Sequence, residues 1–384
     1  MTKPKVLSFF SGGGGLDLGF EAAGFDVIFS CDLMEESCAT LRRNRDGRFI
    51  FGPPNFSGDI HDLNAANIHK YLKTKPSDID VVIGGPPCQP FSVAASQRFL
   101  KTDSRFKRKG FHCKEKGSLI HKYTDLILEL KPKVFLIENV PGIMTIDAGG
   151  QIKTILNKLQ TQGQYNISEP RILDAKDFGV PQTRKRVFIV GCLGPYKIDL
   201  PQKTHGKEAG IYLLKHRTVG DALKNFSFRL PNSEIRKHAN ESIQRYKEMR
   251  FGQREKLGRV DRLNPNLPSK TIIAGGTSGG GRSHLHPFQA RTLSVRECAR
   301  LQTFPDNWVF FGKSGRQFTQ VGNAVPPLLA EKIARQILQM YFKKKAPKEC
   351  VYDIEKSDDA NTKEILVWSK KTNPQLLYKE NETD

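Results

Sequence analysis

Val6-Leu7-Ser8-Phe9-Phe10-Ser11-Gly12-Gly13-Gly14-Gly15, running on into Leu16–Ala23, is the stretch from which the fold can be read. Val6–Phe10 is a compact apolar run of strand length, and Leu16–Ala23 repeats its apolar residues at helical spacing. A strand that enters a glycine turn and leaves as a helix is the opening unit of an alternating α/β sheet. Glycines after a first strand let the backbone approach a ligand and aim a helix N-terminus at it. The turn alone suits a dinucleotide, a nucleoside or no ligand at all. Its spacing is not Gly-x-Gly-x-x-Gly, however, and no Lys-Ser/Thr follows as a phosphate loop requires. No Lys or Arg lies in the turn to neutralise a pyrophosphate. An uncharged or cationic nucleoside such as S-adenosylmethionine is therefore favoured.

Working outward, Asp26–Cys31, Asp80–Gly84, Lys133–Glu138 and Arg186–Gly191 read as further strands. Glu35–Arg43, Ser118–Leu130 and Gln151–Gln160 read as the helices between them. The expected fold is a doubly wound, mostly parallel α/β sheet covered on both faces, with ligands at the carboxyl ends of its strands. From about Leu193 to Phe288 the rhythm dissolves into Gly, Pro, Asn and Arg. Helical patterning resumes at Thr292–Thr303 and Pro326–Phe342. We expect a catalytic domain over residues 1–192 completed by 291–342, a smaller irregular recognition domain over 193–290, and an extension over 343–384.

Charge narrows the class. The 384 residues carry 61 Lys and Arg against 40 Asp and Glu, a net +21. The excess is local: residues 193–290 hold 18 basic against 8 acidic side chains, and residues 93–118 hold 8 against 2. Two basic runs beside candidate chemical sites point to a phosphate backbone rather than to a solvated face. No run approaches the ~20 apolar residues of a membrane span, and glycines interrupt the N-terminal apolar run too early for a signal peptide. Seven widely spaced cysteines without a CxxC pair argue against a disulfide framework and a structural zinc. His284 and His286 lack the accompanying spacing of a metal site, and no metal is expected.

The loops after the strands carry the chemistry. Asp32 ends the second strand where an acid would hold ribose hydroxyls, and Asp59 is placed to take an adenine amino group. Asp80–Gly84 runs into Gly85-Pro86-Pro87-Cys88-Gln89-Pro90-Phe91-Ser92, which holds a cysteine rigidly between prolines at the sheet's functional edge. A thiol reacts as thiolate, so Cys88 needs cationic neighbours or a helix N-terminus. Glu138, closing another apolar strand, should have a raised pKa and hold or donate a proton. Arg184 and Arg186, two apart on an extended chain, point to one face and toward an oxygen or phosphate beside them.

Taken together, FSGGGGLDLGF (10–20), GGPPCQPFS (84–92), ENVPG (138–142), QTRKRVFIVG (182–191), RTLSVRECARLQTFPD (291–306) and QVGNAVPP (320–327) resemble the cytosine-5 DNA methyltransferases of bacterial restriction–modification systems. The resemblance runs in that family's order from Phe9 to about Phe342. It implies S-adenosyl-L-methionine as cofactor, S-adenosyl-L-homocysteine as product and a flipped-out cytosine in double-stranded DNA as substrate. It assigns Cys88 as the nucleophile at cytosine carbon 6, Glu138 as the acid at ring N3 and the amine, Arg186 at the base O2 and Arg184 near thiol and phosphate. The implied cofactor contacts are Phe10, Ser11, Gly12, Gly14, Asp32, Leu33, Asp59, Ile60, Pro87, Asn323 and Val325. Residues 93–118 become a loop that closes over the base, with Ser92, Arg98 and Lys101 on DNA. A cytoplasmic, nucleoid-associated bacterial monomer is implied, alongside a cognate restriction endonuclease encoded nearby with which it forms no stable complex. Two positions depart from the family: Cys113–Gly117 replaces an Asp-Pro-Arg-like stretch, and Leu33 stands where relatives often place a tryptophan.

Residues 193–290 match the variable recognition region by position alone. Within them, Thr271–Thr277 and the glycine-rich Ser278–His284 make a candidate groove-reading loop, with Arg282 and Ser283 on bases. A flexible glycine linker is the competing reading. A transfer-RNA cytosine methyltransferase and a catalytically silent DNA-binding regulator are the alternative functions; the basic variable region speaks against the first, and the intact Cys88, Glu138, Arg184 and Arg186 set against the second.

Overall fold

The computed structural model describes residues 2–87, 118–145, 149–255, 260–274 and 284–353. Cys88, Ser92, Arg98, Lys101, Arg282 and Ser283 lie outside them. Strands β1 (Lys5–Phe9), β2 (Asp26–Cys31), β3 (Phe49–Phe51), β4 (Val81–Gly84) and β5 (Val134–Asn139) pair in parallel. Three more, β6 (Asn166–Ile167), β7 (Arg171–Asp174) and β8 (Lys185–Cys192), complete an eight-stranded sheet in the order β3-β2-β1-β4-β5-β8-β6, with β7 also on β8. β8 runs antiparallel to β5, β6 and β7. The antiparallel β8 brings its first residues, not its last, to the edge where β1, β4 and β5 end.

Burial explains the strands. Successive side chains of a strand point to opposite faces, and here both faces are covered. Val6, Val81, Ile83 and Leu136 enter one core with Phe20 and with Leu329, Ile333 and Ile337. Leu7, Val82, Phe135 and Ile137 enter the other with Ile120, Leu126 and Ile155. The covering helices are α1 (Gly15–Ala23), α2 (Glu35–Asn44), α3 (Ala65–Leu72), α4 (Ser118–Leu130) and α5 (Gly150–Thr161). The chain's later helices are α6 (Val219–Leu223), α7 (Asn240–Lys247), α8 (Val295–Leu301), α9 (Ser314–Asn323) and α10 (Pro327–Met340). α10 returns to pack on α1, so closely that a Cβ at Gly19 would lie 2.4 Å from that of Ala330.

Several boundaries differ from expectation for local reasons. β1 stops at Phe9 because Phe10 adopts φ 55, beginning the turn one residue early. The run 292–303 becomes α8 only from Val295, because Ser294 caps it: its side chain accepts from the Glu297 N–H while Glu297 reaches back to the Ser294 N–H. The sequence reading does not find β3, β6, β7, α3, α6, α7 or α9. Strands of two to four residues carry too few positions to show a period.

Residues 193–290 form no regular layer, yet they are not coreless. Val219, Leu223, Leu263, Ile272 and Phe288 pack with Val295, Leu301 and Trp308. The segment from Lys343, read as an extension, is docked as far as Asp353: the buried Glu331 carboxylate accepts the Val351 and Tyr352 N–H groups at 2.9 and 3.2 Å. No described helix is long and apolar enough to cross a membrane.

Candidate active site

The glycine turn sits between β1 and α1. Gly14, at φ 84, lets the chain reverse into α1, whose N-terminus receives no side-chain cap. Gly15 is pinned by close approach, since a Cβ there would lie 2.1 Å from the Val325 carbonyl oxygen. Trp308 donates its indole N–H to the Gly13 carbonyl at 3.1 Å. The turn is thus clamped from the chain's far end.

Asp32 closes β2 and spends both carboxylate oxygens on backbone: Oδ2 accepts the Gly12 N–H at 2.8 Å and Oδ1 the Met34 N–H at 2.9 Å. Burial raises its pKa, while those two N–H groups and Ser37 pull it back. Gly58 lies against this loop, because its Cβ would fall 2.1 Å from the Asp32 carbonyl and 2.9 Å from the Leu33 Cα. The three loops carrying Gly12, Asp32 and Asp59 therefore meet. Asp59 is half exposed and accepts the backbone N–H of His61 at 2.9 Å, which holds its carboxyl below the usual range. Ile60 is buried and Leu33 exposed. Phe10 lies half-buried, edge-on to Tyr123 at 5.8 Å.

β4 delivers Gly85 directly against Glu138, for a Cβ there would stand 2.7 Å from Glu138 Oε2. Asn139 donates its side-chain N–H to the Pro86 carbonyl at 3.3 Å. Pro87 is exposed. The peptide that leads into Cys88 therefore passes beside the Glu138 carboxyl. That carboxyl is pushed up by burial and opposed by Arg186 and Arg184. Arg186 Nε stands 3.1 Å from Glu138 Oε1.

Arg184 behaves differently from Arg186. It is fully buried, and its Nη2 donates to the Asn323 carbonyl at 3.1 Å. Nε and Nη1 are buried without a partner among the described residues. Burial, with Arg186 adding, drives its pKa well below the ordinary value. A buried cation short of two acceptors is costly. Asn323 and Val325 thus touch Arg184 and Gly15 respectively, joining the nucleoside-type turn to the acid–arginine cluster.

Beneath the turn lies a cluster the sequence reading missed. Asp17 is fully buried and accepts from Ser8 Oγ at 2.5 Å, Ser30 Oγ at 2.6 Å and Arg45 Nη1 at 2.6 Å. Arg45 also reaches Glu21 at 2.6 Å. Ser11 shares its hydroxyl with Ser8 at 3.0 Å. An acid within the otherwise apolar Leu16-Asp17-Leu18 was the available signal; nothing local marks Arg45. His284 and His286 are buried parts of the middle region: His284 Nε2 lies 3.1 Å from the Thr271 carbonyl, and His286 Nδ1 accepts the Phe288 and Gln289 N–H groups, both at 3.1 Å.

Residues 4–339 match the family model for C-5 cytosine-specific DNA methylases. The chain is 34% identical over 357 residues to the type II methyltransferase M.NgoFVII of Neisseria gonorrhoeae, covering 88% of each. It is 35% identical over 356 residues to the type II methyltransferase M.MthTI of Methanothermobacter thermautotrophicus, covering 86% of this chain and 96% of that one. A prophage-encoded Escherichia coli protein, described as a DNA modification methyltransferase, superposes with a TM-score of 0.69 at 27% identity, over 89% of this chain and 100% of that chain.

Proposed function

The chain belongs to the C-5 cytosine-specific DNA methylases, and from that premise we propose that it methylates carbon 5 of cytosine in double-stranded DNA, using S-adenosyl-L-methionine and a covalent adduct with Cys88. As in its type II relatives, the product would protect DNA from a cognate endonuclease. The observation that carries the mechanism is the raised carboxyl of Glu138, paired to Arg186 at 3.1 Å and flanked by the peptide that leads to Cys88.

The glycine turn fits the cofactor: it is a cradle with an uncapped helix N-terminus and no basic side chain, rimmed by Phe10, Asp32, Leu33 and Asp59. Ser11, Gly12 and Gly14 would line it, with Ile60, Pro87, Asn323 and Val325 around it. When bound, the cofactor supplies an electrophilic methyl group on a sulfonium. Everything else falls to the protein. Cytosine is a poor nucleophile at carbon 5, so the Cys88 thiolate adds to carbon 6 and pushes an electron pair toward carbon 5. Glu138, whose carboxyl burial pushes toward the protonated form against the pull of Arg186 and Arg184, hydrogen-bonds ring N3 and spreads the charge that develops. Arg186 holds that carboxyl and faces the base O2, while Arg184, buried and tied to the Asn323 carbonyl, adds its charge beside Glu138. After methylation, water takes the carbon 5 proton, the C–H electron pair restores the carbon 5–carbon 6 double bond, and the carbon 6–sulfur bond breaks to release Cys88 as the thiolate. The target base must leave the duplex stack to reach these groups. We place the enzyme as a monomer in the bacterial cytoplasm, on the nucleoid.

Bisulfite sequencing of plasmid DNA incubated with the enzyme and cofactor tests substrate and modified base together. Cys88→Ser should bind S-adenosylhomocysteine normally yet transfer no methyl, because an alcohol is a far weaker nucleophile. Near-normal turnover by that variant would reject the covalent route, and methylation confined to transfer RNA would reject the DNA assignment.

A further inference from the structure

The middle region is stitched onto residues 181–183, which lead into Arg184 and β8. Gln182 and Ser269 form a parallel bridge. The Thr183 N–H donates to the Ser269 carbonyl at 2.8 Å, and the Ser269 N–H to the Pro181 carbonyl at 2.9 Å. Thr271 Oγ1 donates to the Thr183 carbonyl at 2.6 Å, and the Ile272 N–H donates to Gln182 Oε1 at 3.1 Å. From Gln182 the network continues inward: its amide donates to Gln302 Oε1 at 3.0 Å, and Gln302 donates to the Val321 carbonyl at 2.7 Å. Residue 274 then crosses Gly322, where a Cβ would lie 2.5 Å from the Ala274 N. One short strap, residues 269–274, therefore touches the segment leading into β8 on one side and the segment leading to Asn323 on the other.

This wiring exceeds what packing a loop requires. Gln182 and Gln302 are both fully buried, and their amides are consumed in holding three separate segments in register. The carbonyl that Thr271 grips belongs to the peptide directly before Arg184. A shift of the strap is thus handed to the arginine segment that flanks the Glu138 carboxyl, and displacement of a catalytic group by ~1 Å can cost ~100-fold in rate.

We propose that Thr271 and Gln182 are positioning residues that hold the recognition region in register with Arg184 and Arg186, so that methyl transfer depends on how the DNA is seated. The proposal rests on the DNA methyltransferase reading. Its role for Thr271 is carried by a single hydroxyl, which makes it separable from folding: valine keeps the shape and loses the donor, and serine keeps the donor.

The test compares wild type, Thr271→Val and Thr271→Ser on a duplex carrying the site mapped by bisulfite sequencing. We expect Thr271→Val to keep its thermal midpoint and S-adenosylhomocysteine affinity. Its kcat should fall about tenfold with KM for DNA within about twofold, the weight of one net hydrogen bond, and Thr271→Ser should restore it. An unchanged kcat in the valine variant, a loss that serine does not restore, or a loss matched by a lower thermal midpoint would each overturn the proposal. Hydrogen exchange over residues 182–187, read without DNA, keeps the test independent of activity. Faster exchange in the valine variant supports the strap and unchanged exchange refutes it, whereas a wild type that methylates no plasmid cytosine counts against the DNA reading instead.

Discussion

Replacing Arg45 with methionine is expected to cost the protein about 3–5 kcal/mol, the loss seen when one member of a buried ion pair is removed. Arg45 Nη1 stands 2.6 Å from Asp17 and Nη2 2.6 Å from Glu21, with the Arg45 and Asp17 side chains only 3% and 0% exposed. At an effective dielectric of about 20, opposite charges at that distance attract by about 6 kcal/mol. Desolvation of both partners offsets most of this while the pair is intact. Once Arg45 is gone, Asp17 retains, among the described residues, the Ser8 and Ser30 hydroxyls for a fully buried charge. Methionine fills the volume, so the loss is electrostatic rather than a cavity effect. The decisive comparison is the double variant Arg45→Met/Asp17→Asn, which removes both charges and should recover at least half of the deficit. Urea unfolding followed by circular dichroism measures all three proteins. The reasoning fails if Arg45→Met lies within about 1 kcal/mol of wild type, or if the double variant is no more stable than the single one.

Two further outcomes are expected. Gly15→Ala places a methyl 2.1 Å from the Val325 carbonyl, and overpacking of that kind costs about 1–3 kcal/mol; calorimetry with S-adenosylhomocysteine should show weaker binding beside the lower midpoint, and an unchanged value of both would refute the close approach. Glu138 has a raised pKa through burial, so the stability tied to its proton is full below the ordinary Glu value of about 4.3 and is lost as pH rises through the raised folded value, at about 1.4 kcal/mol per pKa unit. Glu138→Gln lacks this loss; measured from pH 4 to pH 8, wild type should weaken relative to the variant although the variant transfers little methyl, and parallel stability curves would contradict the assignment.

Much of the candidate site could be proposed from the sequence because its carriers follow strands. A strand, a glycine turn and a helix declare themselves within 18 residues, and Asp32, Cys88 and Glu138 each close an apolar run. Period and residue type along the chain were sufficient to find the sheet's longer strands and to propose where chemistry gathers. The pairing of Arg184 and Arg186 was less accessible. Spacing suggested one shared role for both, whereas tertiary packing buries Arg184 against Asn323 and leaves Arg186 to Glu138. The antiparallel run of β8, the clamp of Trp308 on Gly13, the Asp17–Arg45 pair and the Gln182–Gln302 relay were decided only by the folded chain. Each joins residues from 28 to 295 positions apart or depends on a strand's direction. Local periodicity records which face of an element is apolar; it does not record which distant side chain will satisfy a buried charge or amide, because that is settled by the three-dimensional meeting of elements.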